Sequence, residues 1–274
     1  MKLSRKKIEE LKETARICRR DILRMTTLAA SGHPGGSLSC IDILVTLFFA
    51  RMRHNPRQPK WEGRDRFFLS KGHSCPALYA VLSRAGYFPV EELDTLRKLN
   101  SILQGHPDML YTPGVEVSSG SLGQGLSIGN GVALAAKLDR RDIKVYVMMG
   151  DGECQEGMVW EAAMTSAQHK LDNLCAFVDY NRLQIDGWID DIKSLEPLQL
   201  KWESFGWKAL IIDGHSIEEI WEGLMEADRT KGKPTVCIAR TVKGKGVSFM
   251  ENQAKYHGMA LTPEELSKAL QELE

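Results

Sequence analysis

The sequence predicts an α/β fold, a parallel β-sheet flanked by helices. Three observations predict it. Five short apolar runs recur along the chain, at 67–69, 145–149, 174–178, 209–212 and 235–239. They are continuous rather than alternating, as strands buried on both faces are. Helical patterns lie between most of them, at 123–137, 159–170 and 217–230, and strands alternating with helices build a parallel sheet.

The elements follow in order. The N-terminus reads as an amphipathic helix, with Ile8, Leu11, Ala15, Ile22 and Leu23 near helical spacing among charges. Ser39 or Cys40 opens a second, apolar helix that runs through Arg51. The last segment, TPEELSKALQELE at 262–274, is a capped helix that closes the domain. No repeat, low-complexity stretch or internal linker interrupts the chain, so 1–274 reads as a single domain.

Composition narrows the function. The 274 residues carry 36 Lys+Arg and 36 Asp+Glu, a net charge of zero. A general nucleic-acid binder would be basic, whereas a local phosphate pocket remains compatible. The start, MKLSRKKIEELKE, has no apolar signal region, and the most apolar stretch, 41–50, contains Asp42 and is too short to span a bilayer. None of the six cysteines forms a Cys-x-x-Cys pair. They read as buried reduced thiols, which fits a cytoplasmic location.

In such sheets ligands bind outside the carboxyl ends of the strands. Those ends carry Ser70-Lys71-Gly72-His73, Gly150-Asp151-Gly152, Asp179-Tyr180-Asn181, Asp213-Gly214-His215 and Arg240-Thr241-Val242-Lys243. Five of the seven histidines touch a glycine: His33, His73, His106, His215 and His257. Gly-His-Pro occurs twice, at 32–34 and 105–107. A histidine held on a glycine turn can face a pocket.

Gly150-Asp151-Gly152 stands between a strand and a helix. Backbone N–H groups and the helix dipole there favour a phosphate, which Asp151 would repel unless a cation lay between. Mg²⁺ (or Ca²⁺) takes carboxylate, amide and carbonyl oxygens and shares its shell with phosphate. Asn181 ends the next strand and the Leu183 carbonyl follows it, so these two would complete the set with Asp151. The glycines of GSLGQGLSIGNG, 120–131, either let backbone touch a cofactor or allow close helix packing. Lys243, in TVKGKG after the last strand, reads equally as a diphosphate contact or as part of a solvated basic loop.

Together these residues resemble the N-terminal, diphosphate-binding half of the transketolase family. The matching segments are ASGHPGGSLSCIDIL (30–44), DRFFLSKGHSCPALYAVL (65–82), GHPD (105–108), SSGSLGQGLSIGNGVALA (118–135), GDGECQEGMVWEAAM (150–164), LDNLCAFVDYNRLQIDG (171–187) and ARTVKGKG with YHG (239–258). The thiamine-diphosphate motif itself is Gly-Asp-Gly followed by Asn181, thirty positions after Asp151.

The resemblance implies a thiamine-diphosphate-binding fold. It implies Asp151, Asn181 and the Leu183 carbonyl on Mg²⁺. Gly152, His73, Lys243 and His257 would lie along the diphosphate, with Gly150 and Glu153 beside them, and Gly120 and Leu122 would lie against the aminopyrimidine. His33, His73, His106 and His257 would surround the reacting sugar carbon and move protons, a task suited to a near-neutral pKa. The implied activity is transfer of a two-carbon ketol unit between phosphorylated sugars.

Three departures stand out. The family's Gly-His-Pro-Glu is Gly-His-Pro-Asp here, its Trp-His-Gly is Tyr256-His257-Gly258, and whole transketolases are more than twice as long. The resemblance therefore implies one subunit of a split enzyme, a heterotetramer of two of each chain. The partner, a C-terminal pyrimidine-binding subunit, would bring the glutamate that activates the cofactor and most of the arginines that hold the sugar phosphate. Glu156 resembles the family's interface glutamate that meets that activating group. The alternatives are a non-catalytic or regulatory cofactor-binding subunit, or a subunit of another thiamine enzyme. The latter would resemble 1-deoxyxylulose-5-phosphate synthase or the decarboxylating part of a 2-oxoacid dehydrogenase.

Overall fold

In a computed structural model that describes residues 2–274, the five expected strands form one parallel sheet. They are β1 (Arg66–Leu69), β2 (Val145–Gly150), β3 (Leu174–Tyr180), β6 (Lys208–Asp213) and β7 (Thr235–Arg240), in the order β1-β2-β3-β7-β6. Gly150 pairs with Asp179, and Tyr180 with Arg240, so the carboxyl ends of the central strands lie level. That common edge carries the site.

The apolar runs are continuous because each strand serves two cores. Tyr146, Met148, Cys175, Phe177 and Cys237 face a layer made by α1 (Arg5–Leu28), α2 (Pro34–Thr46), α3 (Cys75–Arg84), α8 (Ile217–Arg229) and α9 (Pro263–Glu272). Val145, Val147, Met149, Ala176 and Val178 face the opposite layer. That layer holds α4 (Gln124–Leu138), α5 (Gly157–Gln168) and α7 (Leu198–Ser204). Trp202 lies between Trp160 and Trp207, with ring centres 5.1 and 4.9 Å away, and locks α7 to α5.

Local chemistry sets the helix starts. Ser4 and Ser216 accept from the N–H groups of Lys7 and Glu219 at α1 and α8. Thr262 and Glu265 form a reciprocal capping box at α9, as the sequence predicts.

One start differs from expectation. The second helix begins at Pro34, not at Ser39 or Cys40, and ends its α-helical part at Thr46 before a wider turn over Leu47–Arg51. Proline suits the first helical position. Gly35 and Gly36 look like breakers in sequence, but each marks a close approach. A Cβ on Gly35 would lie 2.7 Å from the Tyr256 carbonyl oxygen, and one on Gly36 would lie 3.1 Å from Ser74 Oγ. Residues 34–51 are apolar and long enough to cross a bilayer, yet 83% of that stretch is buried inside the fold. Sequence patterning also passed over α3, α7, the hairpin of β4 (Leu183–Gln184) and β5 (Gly187–Trp188), and the short α6 (Ile189–Lys193).

Candidate active site at the carboxyl edge of the sheet

A cavity of about 370 Å³ opens at this edge. It is lined by His33, His73, Asp151, Asn181, Lys243 and His257, together with Gly120, Leu122, Gly150, Gly152, Glu153 and Leu183. His106 stands beside it, its ring 3.4 Å from where a Cβ on Gly120 would lie. The thirteen residues singled out from sequence therefore converge on one place.

Four of the five glycine-flanked histidines form a cluster. The His33 ring centre is 5.2 Å from His73, 5.5 Å from His257 and 6.4 Å from His106, and His73 and His257 stack at 5.1 Å. His215 goes elsewhere. Its Nδ1 lies 2.8 Å from Asp42 Oδ2, and its Nε2 accepts the Val242 N–H at 2.9 Å, which assigns the proton to Nδ1. It tethers the loop that carries Lys243.

All four clustered rings are held neutral. Burial lowers His33 to about 4 and His257 to about 3, aided by nearby cations, and pushes His73 well down. Burial and Arg97 lower His106. A histidine depressed on folding favours the folded state above its unfolded pKa and loses that stability as the pH falls through it. Asp151 works the other way. Burial, then the charge of Asp179, raises its carboxyl to about 6. Burial raises the Glu153 carboxyl as well, but four histidines outweigh two carboxyls, so the cofactor-free chain should lose melting temperature between pH 7.5 and 5. His33→Asn should flatten that slope. A melting temperature that rises on acidification would contradict neutral packing of the cluster.

The oxygen donors meet as the strand order requires. Asp151 is buried and accepts the N–H groups of Gly152 (2.7 Å) and Arg182. Asn181 donates its amide N–H to Asp179 at 3.2 Å, which fixes the amide, and its Oδ1 accepts the Leu183 N–H at 3.1 Å. The Leu183 carbonyl accepts from the Lys243 ammonium, which also lies 2.9 Å from His257 Nδ1. Burial lowers Lys243 to about 8 against the pull of Asp151. Of the two sequence readings of Lys243, the solvated loop is ruled out, because the side chain is buried.

A carboxylate, an amide oxygen and a carbonyl oxygen are hard donors that fit Mg²⁺ or Ca²⁺. The elevated Asp151 carboxyl is a buried anion that a cation would neutralise. Among the described residues no group of three or more His, Cys, Asp or Glu side chains gathers as a metal cluster. The candidate donors are one carboxylate and two neutral oxygens.

Glu153 lines the cavity with its oxygens already engaged. It accepts from Ser70 Oγ, from the Gly123 N–H at 2.8 Å and from the Gly150 N–H at 3.0 Å. It thus ties the start of α4, at Gly123, to the end of β2. The glycines of the 120–131 segment also serve helix packing, since Gly125 lies on α4 and a Cβ there would lie 2.4 Å from Ser70 Cβ.

Sequence reasoning missed a buried ion pair beneath the site. Lys71 Nζ donates to Asp179 Oδ2 at 2.5 Å and to the Gly36 carbonyl at 2.8 Å. Ser39, Thr241 and Asn181 also donate to Asp179, which is wholly buried. Burial alone would raise this carboxyl, but Lys71 and the hydroxyls hold it below its usual value. The available signal was a lysine and an aspartate standing directly at the ends of fully apolar strands. Gln184 was missed as well, its Oε1 3.0 Å from where a Cβ on Gly152 would lie.

The chain matches the model for the transketolase, thiamine diphosphate binding domain, over residues 9–273. It is 46% identical to the 6-deoxy-6-sulfo-D-fructose transketolase subunit SqwG of Clostridium sp. (strain MSTE9), covering 97% of this chain and 96% of that one. It is 45% identical to an apulose-4-phosphate transketolase subunit of Phocaeicola vulgatus, covering 97% and 94%. Human transketolase is 40% identical, and this chain spans 43% of its length. Among solved structures, transketolase from Campylobacter jejuni superposes with a TM-score of 0.92 at 36% identity, over 97% of this chain and 43% of that one.

Proposed function

The chain belongs to the transketolase family through its thiamine-diphosphate-binding domain, and on that premise we propose that it is the diphosphate-binding subunit of a split transketolase. With a separate pyrimidine-binding subunit it transfers a two-carbon ketol unit from a ketose phosphate to an aldose phosphate. The observation that carries this reading is one cavity holding both a cluster of neutral histidines and the Asp151, Asn181 and Leu183 oxygens.

Thiamine diphosphate, when bound, supplies the carbanion-stabilising chemistry of the reaction. Asp151, Asn181 and the Leu183 carbonyl would hold Mg²⁺. Lys243, His73 and His257 would hold the diphosphate, Lys243 turning from the Leu183 carbonyl to do so. Gly120 and Leu122 would present backbone to the aminopyrimidine. His33 has a buried Nδ1 with no hydrogen-bond partner, a group suited to a sugar hydroxyl. A neutral imidazole takes a proton at one ring nitrogen and returns it from the imidazolium so formed, so His33, His73, His106 and His257 can serve bond cleavage and bond formation in turn. In the cofactor-free chain burial holds them below the near-neutral pKa expected from sequence.

The partner reading draws on the relatives named as subunits, which match this chain nearly end to end. The cavity's own lining adds support, because it exposes the apolar side chains of Leu122 and Ile185, the latter 67% exposed. Glu156 is exposed at the cavity, which supports the reading that it meets an acid from the partner. A two-plus-two assembly would complete two such sites. The names of these two relatives, one for a sulfo-sugar and one for a sugar phosphate, support a substrate with an anionic terminus. Six free, buried cysteines support a reducing, cytoplasmic setting.

The test is ketol transfer from xylulose 5-phosphate to ribose 5-phosphate with thiamine diphosphate and Mg²⁺, for the chain alone and with a pyrimidine-binding transketolase subunit. Turnover is expected only in the mixture. Activity of the chain alone would refute the split reading. Cofactor binding by the pair without any transfer across a panel of phosphorylated and sulfonated ketoses would favour the regulatory alternative.

A further inference from the structure

His33 and His106 sit on the two Gly-His-Pro turns, which no shared strand or helix joins. Each turn has its own anchor. The His33 carbonyl accepts from Ser37 Oγ at 2.7 Å. On the other turn, the Cys75 thiol lies 3.2 Å from the Gly105 carbonyl oxygen, and the Tyr79 hydroxyl lies 2.9 and 3.1 Å from the Gln104 and His106 carbonyl oxygens. Arg97 reaches both. Its Nη1 donates to Ser31 Oγ at 3.1 Å, two residues before His33, and its Nη2 donates to the Gly105 carbonyl at 3.3 Å, one residue before His106.

Two further features fit a built clamp. The guanidinium lies close on Gly105, where a Cβ would come within 2.9 Å of Arg97 Cζ, so any side chain at 105 would push the guanidinium from its present place. Arg97 itself has a φ of +61°, a left-handed conformation disfavoured for arginine, and its N–H is fixed to the Leu103 carbonyl at 2.9 Å.

We propose that Arg97 is a positioning residue that clamps the two Gly-His-Pro turns together and thereby sets the spacing of His33 and His106 on the reacting sugar. The inference rests on the ketol-transfer reading above. None of Arg97's hydrogen bonds reaches Asp151, Asn181 or Lys243, so its loss leaves cofactor binding intact. Its charge also bears on both rings and favours their neutral forms.

The test uses the assembled enzyme. Arg97→Ala should lower kcat/KM for the ketose donor by about 10–100-fold, the scale expected when catalytic groups are misplaced. The thiamine diphosphate Kd and the melting temperature should stay at wild-type values, and the acid limb of the pH profile should move to higher pH. Arg97→Lys keeps the charge and loses the fork, so it should restore the pH limb but not the rate. Ser31→Ala should add nothing to Arg97→Ala, as expected of two residues acting through one contact. Wild-type kcat/KM in Arg97→Ala, or a loss confined to melting temperature and cofactor binding, overturns the proposal. Histidine ring NMR reads the clamp without turnover, since the His33 and His106 ring chemical shifts should move in Arg97→Lys as well as in Arg97→Ala, whereas their titrations should shift upward only in Arg97→Ala. If the wild-type assembly transfers no ketol unit, the functional reading fails while this comparison still decides the clamp.

Discussion

Asp151→Asn is expected to abolish ketol transfer in the assembled enzyme, with a fall of about 10³-fold or more, since metal-held charge is worth several kcal/mol in such reactions. The substitution keeps the shape of the side chain at the end of β2. It removes the only carboxylate in the proposed oxygen set of Asp151, Asn181 and Leu183. Burial and the neighbouring Asp179 already push the Asp151 carboxyl to about 6, so its ionised form is held at an electrostatic cost that a divalent cation would offset. The melting temperature of the cofactor-free chain should therefore change by only a few degrees, the lost charge partly compensating for one weakened N–H contact. Thiamine diphosphate with Mg²⁺ should raise the wild-type melting temperature and leave that of the variant unmoved. Retained turnover in Asp151→Asn would remove the metal from the account. A melting temperature that collapses without ligand would make the residue structural.

Lys71→Met should be the most destabilising single change at the site, by about 3–5 kcal/mol, because it strands the Asp179 carboxylate in the interior. The pair is sealed: Lys71 is 2% exposed and Asp179 0%. It also joins four elements, since Asp179 takes hydrogen bonds from Ser39 on α2, Lys71 after β1, Asn181 after β3 and Thr241 after β7. Removing both charges in Lys71→Met/Asp179→Asn should recover part of the loss. Neutral partners still hydrogen-bond, whereas a lone buried charge cannot be satisfied. Urea unfolding of the two variants measures this directly. A cost below about 1 kcal/mol for Lys71→Met would mean that water reaches the pair. The same network orients the Asn181 amide, so Lys71→Met should also weaken cofactor binding in whatever fraction folds.

Much of the site was legible in the sequence because its chemistry is local. Gly150-Asp151-Gly152 follows a strand that ends where a ligand must sit, and the adjacent-strand argument places Asn181 beside it. The register confirms that adjacency, with Gly150 opposite Asp179. The five strands were legible for a related reason. A strand covered on both faces is apolar at every position, and the division of Val145, Val147 and Met149 from Tyr146 and Met148 between two cores shows why. The capped start of α9 needs only Thr262 and Glu265, three residues apart.

What the sequence by itself determined about this protein is thus its sheet, its cofactor motif and the set of residues at the strand ends. The tertiary structure alone decided how those residues act on one another. It decided that α2 begins at Pro34, because Gly35 and Gly36 admit Tyr256 and Ser74 from distant segments. It decided that His215 leaves the cluster for Asp42, that Lys243 is buried, and that Lys71 and Asp179 neutralise each other beneath the site. It decided that one arginine spans both Gly-His-Pro turns. The physical reason is common to all of these. Periodicity, caps and turn residues are short-range properties of a chain, whereas desolvation, charge pairing and close backbone approach depend on residues that meet only when the fold brings them together.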